Sequence, residues 1–250
     1  EILCRGKVNV SENGFKKSNK AGNTLLQFIP NRICELKTEK CNILILPFKD
    51  ALNAYLAGNN YSNLVISNGV VLGEGKNLSL LTSRTDSTTL TVYPAIKQAV
   101  TSVGSLRKIP AELKSISKWM LTLPAVQPAI ELTQADDRHF VLKAPFADWT
   151  GLNDVYITFN YRGDRAGCMM NGELQTDDIY TSKPWTVGLK RYAEALKTSE
   201  MYFYFLPMTK DAPYLTYLEK NVVPDFGNKK EFLEIKQAVI EVEYKVEISF

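Results

Sequence analysis

Histidine occurs once in the 250 residues, at His139. Serine or cysteine triads would have to use that one imidazole, and zinc sites built on two or three histidines are excluded. It sits in Asp137-Arg138-His139-Phe140-Val141-Leu142, at the mouth of an expected strand, which reads as a surface or strand-edge position. The four cysteines (Cys4, Cys34, Cys41 and Cys168) form no Cys-x-x-Cys pair, so redox and zinc-ribbon motifs are missing as well. Cys34 and Cys41 flank a polar stretch of hairpin character, where either a bridge or two thiols fit. Apolar runs are short: Ile43 to Pro47 is the length of a strand, far below the roughly 18 residues of a membrane helix. The net charge of +3 is too small to argue for nucleic acid. No Gly-rich loop is followed by Lys-Ser/Thr, so phosphate cradles are missing too, and no motif points to an organic cofactor. The first residue is Glu1, which suggests a processed or excised piece.

What is present is alternation. Hydrophobic residues at 45 % and charged residues at 23 % are ordinary for a globular chain and exclude bulk disorder. From Ala238 to Phe250, Ile240, Val242, Tyr244, Val246, Ile248 and Phe250 fall on one face, with Glu241, Glu243, Lys245 and Glu247 on the other. This period of two predicts a half-buried antiparallel strand. Val155, Ile157, Phe159 and Tyr161 repeat it, and the continuous run Met201 to Leu206 predicts a strand covered on both faces. Asn171-Gly172 between two strand-like runs predicts a hairpin, because both residues tolerate positive φ. Asn68-Gly69, Gly73-Glu74-Gly75 and Asp225 to Asn228 predict further turns. Helical signals are few. Phe48, Leu52, Tyr55 and Leu56 suggest one short helix between Pro47 and Gly58, packed on a sheet, and Tyr192 to Lys197 another turn or two. The expected class is mainly β, with a first β-sandwich domain over residues 1–98 and a second over 99–250, the weakly periodic stretch Lys97 to Ser117 marking the division. The second domain has enough short strands for a jelly roll of about eight.

The carboxylate doublets Asp136-Asp137 and Asp177-Asp178 are the obvious acidic candidates. Adjacent strand residues point to opposite faces, so neither doublet makes a convergent acid and nucleophile. A structural calcium ion on loop carboxylates and carbonyls is a further candidate use. The remaining functional candidates are aromatic: Trp149, Trp185, Tyr180, Tyr161 and Tyr214 lie in or beside loops. A sugar ring stacks on an aromatic face while Asp, Asn and Arg bind its hydroxyls; the alternative is that these rings fill the sandwich core.

The stretch Asn153-Asp-Val-Tyr-Ile-Thr-Phe-Asn-Tyr-Arg-Gly-Asp-Arg-Ala-Gly-Cys-Met-Met-Asn-Gly-Glu-Leu174, continued by Asp177-Asp-Ile-Tyr-Thr-Ser-Lys-Pro-Trp-Thr-Val-Gly-Leu-Lys-Arg-Tyr192, resembles the C-terminal galactose-binding-like jelly roll of family-35 glycoside hydrolases, the β-galactosidases, particularly those of gut Bacteroidetes. Leu206 to Pro213 is similar to that family's next strand and loop. More weakly, Asn42-Ile-Leu-Ile-Leu46, Asp50 to Tyr55, Val65 to Gly69 and Leu90 to Pro94 resemble the β region after its barrel. The resemblance implies a non-catalytic accessory region, because the family's two catalytic glutamates stand on a (β/α)₈ barrel and nothing in these residues alternates as a barrel does. No catalytic residue carries over. It further implies a periplasmic or secreted setting and, as partners, carbohydrate or a catalytic barrel domain. For a sugar site the candidates are Trp185 and Tyr180 as platform, Asp177 and Asp178 as acceptors, and Arg191 as donor. Two other classes stay open: a structural or protein-interaction module, and an enzyme working with carboxylates alone.

Overall fold

The computed structural model describes residues 2–5, 8–10, 16–20, 22–28, 31–38, 41–72, 77–220 and 222–250. The protein is mainly β, with 54 % of residues in strands and 8 % in helices, and its sheets are antiparallel. It forms two compact units: residues 1–124 with 245–250, and residues 125–244. The turn expected at Gly73 to Gly75 lies outside the described residues.

The first unit opens with two small sheets. One takes β1 (Ile2–Arg5), β3 (Lys16–Lys20) and β4 (Asn23–Gln27), with β4 central; the other takes β2 (Val8–Val10), β5 (Cys34–Thr38) and β6 (Asn42–Ile45), with β5 central. Cys4, Val8, Leu26 and Leu36 close over one another between them. The hairpin expected between Cys34 and Cys41 forms, but Cys34 lies opposite Ile45 in its register and is buried, whereas Cys41 is exposed; both are thiols.

A one-turn helix, α1 (Phe48–Ala51), follows, and then an edge strand, β7 (Ala54–Ala57). This corrects the longer helix expected there. Asn53 ends α1, its backbone N–H donating to Asp50 O and its side chain to Lys49 O. Tyr55 and Leu56 then pair with Val65 and Leu64 of β8 (Asn63–Ser67). Sheet pairing outweighs the weak helical preference of the segment. Phe48 and Leu52 consequently face solvent, at 78 % and 66 % exposure, instead of packing on a sheet. The unit continues through β9 (Val70–Leu72), β10 (Asn77–Thr82), β11 (Thr88–Tyr93), β12 (Val100–Thr101), β13 (Ser105–Ile109) and β14 (Ser117–Thr122). Its five-stranded sheet runs β13-β14-β11-β8-β7. The division expected after residue 98 falls between β11 and β12, and β13 and β14 join the sheet of β11.

The second unit is a sandwich. Its strands are β15 (Glu131–Gln134), β16 (His139–Lys143), β17 (Leu152–Arg162), β18 (Arg165–Met170), β19 (Glu173–Ile179), β20 (Trp185–Gly188), β21 (Met201–Leu206), β22 (Met208–Thr209), β23 (Glu231–Phe232) and β24 (Glu234–Ser249), with α2 (Ala193–Leu196) between β20 and β21. One sheet runs β15-β16-β21-β18-β19; the other places β17 between β20 and β24. Past Tyr244, β24 belongs to the first unit, where Ile248 and Ser249 pair with Thr101 and Val100.

The period of two in β17 is the reason the sandwich closes. Val155, Ile157, Phe159 and Tyr161 are buried, and the Phe159 ring meets Phe140, Phe203 and Phe205 of the opposite sheet at centroid distances of 5.4, 4.9 and 5.1 Å. Asn171 and Gly172 turn β18 into β19 at φ 53° and 82°, as their sequence predicts. Strand β21 differs from its expectation: Met201, Phe203 and Phe205 are buried, while Tyr202 and Leu206 are 48 % and 42 % exposed, so only one face is covered. Among the described residues no helix is long and apolar enough to cross a membrane.

Candidate functional site

The five candidate sugar-binding residues have different surroundings. Trp185 is 5 % exposed and stacks on Phe159 at 6.0 Å, so its ring is part of the sandwich core and not a platform at the surface. Asp177 and Asp178 alternate across β19 as adjacent strand residues must. Asp177 faces outward beside Arg165, at 3.5 Å, whereas Asp178 accepts the Tyr161 hydroxyl at 2.7 Å. Tyr180 rests against the Tyr161 ring at 5.5 Å, and Arg191 lies over Tyr192 at 4.6 Å. Of the five, Asp178 and Tyr180 are brought together, both on Tyr161.

Tyr161 thereby anchors a phenol and carboxylate cluster. Burial, and then the hydrogen bond to Asp178, hold its phenol well above the ordinary tyrosine range. Tyr180 N–H donates to the Asp164 carbonyl. Tyr214 is pushed up to about 12 by burial and by its hydrogen bond to the Asp164 carboxylate. Tyr161 is 2 % exposed, and its hydrogen bond to Asp178 fastens β17 to β19. Trp149 is likewise buried. The aromatic candidates mostly fill the core.

His139 stands at the start of β16 and is exposed, its Nδ1 2.8 Å from both oxygens of Asp136. The hydrogen bond from Arg138 N–H, and then the His139 ring, hold the Asp136 carboxyl below its usual range. Among the described residues, no group of three or more His, Cys, Asp or Glu side chains comes together.

A concavity of the second unit lies elsewhere, a cleft of about 650 Å³, within the usual size of a small-molecule site. One wall is the turn between β15 and β16, which contributes Gln134, Asp137 and Arg138; the other is β23 with the start of β24, which contributes Glu231 and Phe232. Both walls are tightly held. Arg138 N–H donates to Asp136 Oδ1 at 2.7 Å, and the Arg138 carbonyl accepts Phe205 N–H at 2.9 Å. Glu231 pairs with Thr209 of β22. Phe232 packs on a small core of Met208, Val222 and Phe226. The Arg162 guanidinium lies 5.4 Å from the Phe232 ring and donates to the carbonyls of Val222 and Val223. Across the cleft Arg138 Nη2 meets Glu231 Oε2 at 3.0 Å. Sequence reasoning missed this pair, since 93 residues separate its members and neither stands in a local motif. A polar hollow in the first unit, of about 290 Å³, falls just below the usual size.

The chain matches no protein-family model and no curated protein.

Proposed function

We propose that the chain is a non-catalytic accessory region of a β-galactosidase-like glycoside hydrolase, working in the periplasm or outside the cell, with a galactose-binding-like jelly roll as its second unit. The observation that carries this reading is the use made of residues 153–192. That stretch, on which the resemblance rests, contributes strands to both sheets of the sandwich, and its distinctive residues are engaged in structure. Trp185 packs in the core, Asp178 receives the Tyr161 hydroxyl, and Asn171-Gly172 forms the turn. A family likeness made of framework residues supports a supporting module and gives no support to a catalytic one.

The reading frame that encodes the chain is expected to encode a (β/α)₈ barrel with two glutamates at its strand ends. A frame without a barrel overturns the proposal. The chain alone is expected to leave nitrophenyl β-D-galactoside intact, and turnover by the chain alone overturns it as well.

A second reading, a structural or interaction module with no sugar binding, is favoured by the exposed apolar side chains of Phe48 on α1, Leu52 just after it and Leu56 on β7. They fall within nine residues of one another on and beside an edge strand, a kind of surface that suits a protein partner. Replacing Phe48 and Leu52 by Ser is expected to leave the melting temperature unchanged and to abolish co-purification with a separately expressed partner domain; unchanged co-purification removes this reading.

A further inference from the structure

We infer that the cleft between the β15–β16 turn and β23 binds a neutral saccharide about the size of a disaccharide. The inference deepens the accessory reading, on which only its choice of probe sugars rests. Its charged groups are of both signs: Arg138 and Lys229 donate, while Asp137, Glu231 and Glu234 accept. An anion entering the cleft meets three carboxylates, and a cation meets the guanidinium and the ammonium. A sugar hydroxyl donates and accepts at once, and so satisfies both kinds of group without adding a charge to the site.

The Arg138–Glu231 pair is the centre of this assignment. Its 3.0 Å contact joins Nη2 to Oε2, and each side chain remains 49 % exposed. The other guanidinium N–H groups and the other carboxylate oxygen are left to face adjacent hydroxyls, as a planar fork does well. Each partner comes from a separate, hydrogen-bonded wall, so little ordering remains to be done when a ligand arrives. Gln134 donates its amide to the Asp136 carbonyl at 3.1 Å, which leaves its side-chain oxygen as an acceptor. Phe232, pinned from behind by Arg162 and Phe226, gives an apolar wall for the C–H face of a sugar ring.

The test is isothermal titration of the whole chain with lactose, maltose and cellobiose. At least one is expected to bind saturably, with a dissociation constant on the order of 1 mM or tighter. Arg138→Ala is expected to weaken that binding at least tenfold and Lys229→Ala, at an exposed position, several-fold, while Glu194→Gln on α2 leaves it unchanged. Should Arg138→Ala fail to fold, Lys229→Ala and Glu231→Gln decide in its place. No saturable binding of any of the three sugars overturns the inference, and so does binding that the cleft variants do not alter. Competition by inorganic phosphate overturns the neutral class. Recovering the lactose afterwards separates the two proposals. Intact lactose with no binding of any of the three sugars removes the cleft assignment alone, whereas bound and cleaved lactose removes the accessory reading alone.

Discussion

The two units bury different chemistry. In the second, Phe140, Phe159, Phe203, Phe205 and Trp185 interlock, with Phe159 within 6.0 Å of each of four other rings. In the first, the fully buried hydrophobic side chains of the larger sheets are aliphatic, among them Val65, Leu78, Leu80, Leu90, Val92 and Leu121. Aromatic rings fill a sandwich with few, large, oriented pieces, and edge-to-face contacts add about 0.5–1.5 kcal/mol per pair beyond area burial. Aliphatic side chains fill the same space with more, smaller and less directional pieces. A core of the first kind concentrates its stability at a few positions; one of the second kind spreads it.

The largest expected effect tests that difference directly. Phe159→Ala is expected to cost about 4 kcal/mol, near the upper end for core truncations, because four ring contacts are lost together. Leu90→Ala in β11 is expected to cost about 3 kcal/mol. Urea denaturation followed by tryptophan fluorescence measures both. If Leu90→Ala proves as costly as Phe159→Ala or more so, the concentration of stability on Phe159 is wrong.

Tyr161 gives the second unit a pH-sensitive fastening. Its pKa is raised in the folded chain by burial and by Asp178, so the folded phenol keeps its proton where the unfolded one releases it, at about pH 10. The unfolded state then binds fewer protons, and stability, complete below about pH 10, falls as the pH rises through the higher folded value. Tyr214, raised by burial and Asp164, acts in the same direction. Tyr161→Phe is expected to cost about 2 kcal/mol at neutral pH, since a hydrogen bond to a carboxylate is lost. It is also expected to flatten the alkaline loss of stability. Urea midpoints at neutral pH and above pH ~10 measure both effects, and an unchanged alkaline slope in the variant refutes the assignment.

The fold was legible where a single rule decides the outcome. Alternation in β17 and in 238–250 placed Val155, Ile157, Phe159, Val242 and Tyr244 correctly, because a two-residue period has one physical reading when one face is wet. It failed at α1 and β7, where a short apolar stripe satisfies both periods and pairing with β8 chooses between them. It left Trp185 open between a platform beside a loop and a place in the sandwich core, a choice made by the pairing of β20 with β17 opposite Phe159. The cleft was illegible for a different reason. Arg138 and Glu231 are ordinary charged residues in sequence and meet only because β15, β16 and β23 bring them across one concavity.

The smallest expected effect concerns two buried tryptophans, one in each unit, that differ in an indole hydrogen bond and in a cation–π contact. Trp119 Nε1–H donates to Ser117 Oγ at 3.2 Å, and Ser117 Oγ also accepts Ile96 N–H; Lys108 lies 5.5 Å from the indole. Trp149 is as deeply buried, yet among the described residues its Nε1–H has no acceptor. Replacing either by Phe removes a comparable volume, so the difference between the two costs isolates the polar part. At Trp119 a satisfied donor and a cation–π contact are lost, while at Trp149 an unsatisfied buried donor is relieved. Trp119→Phe is therefore expected to be the more destabilising by about 1 kcal/mol, with Trp149→Phe close to neutral. Denaturation midpoints of the two variants measure this. Equal costs mean that the indole N–H of Trp149 is as well satisfied as that of Trp119, and that the two units treat their buried donors alike.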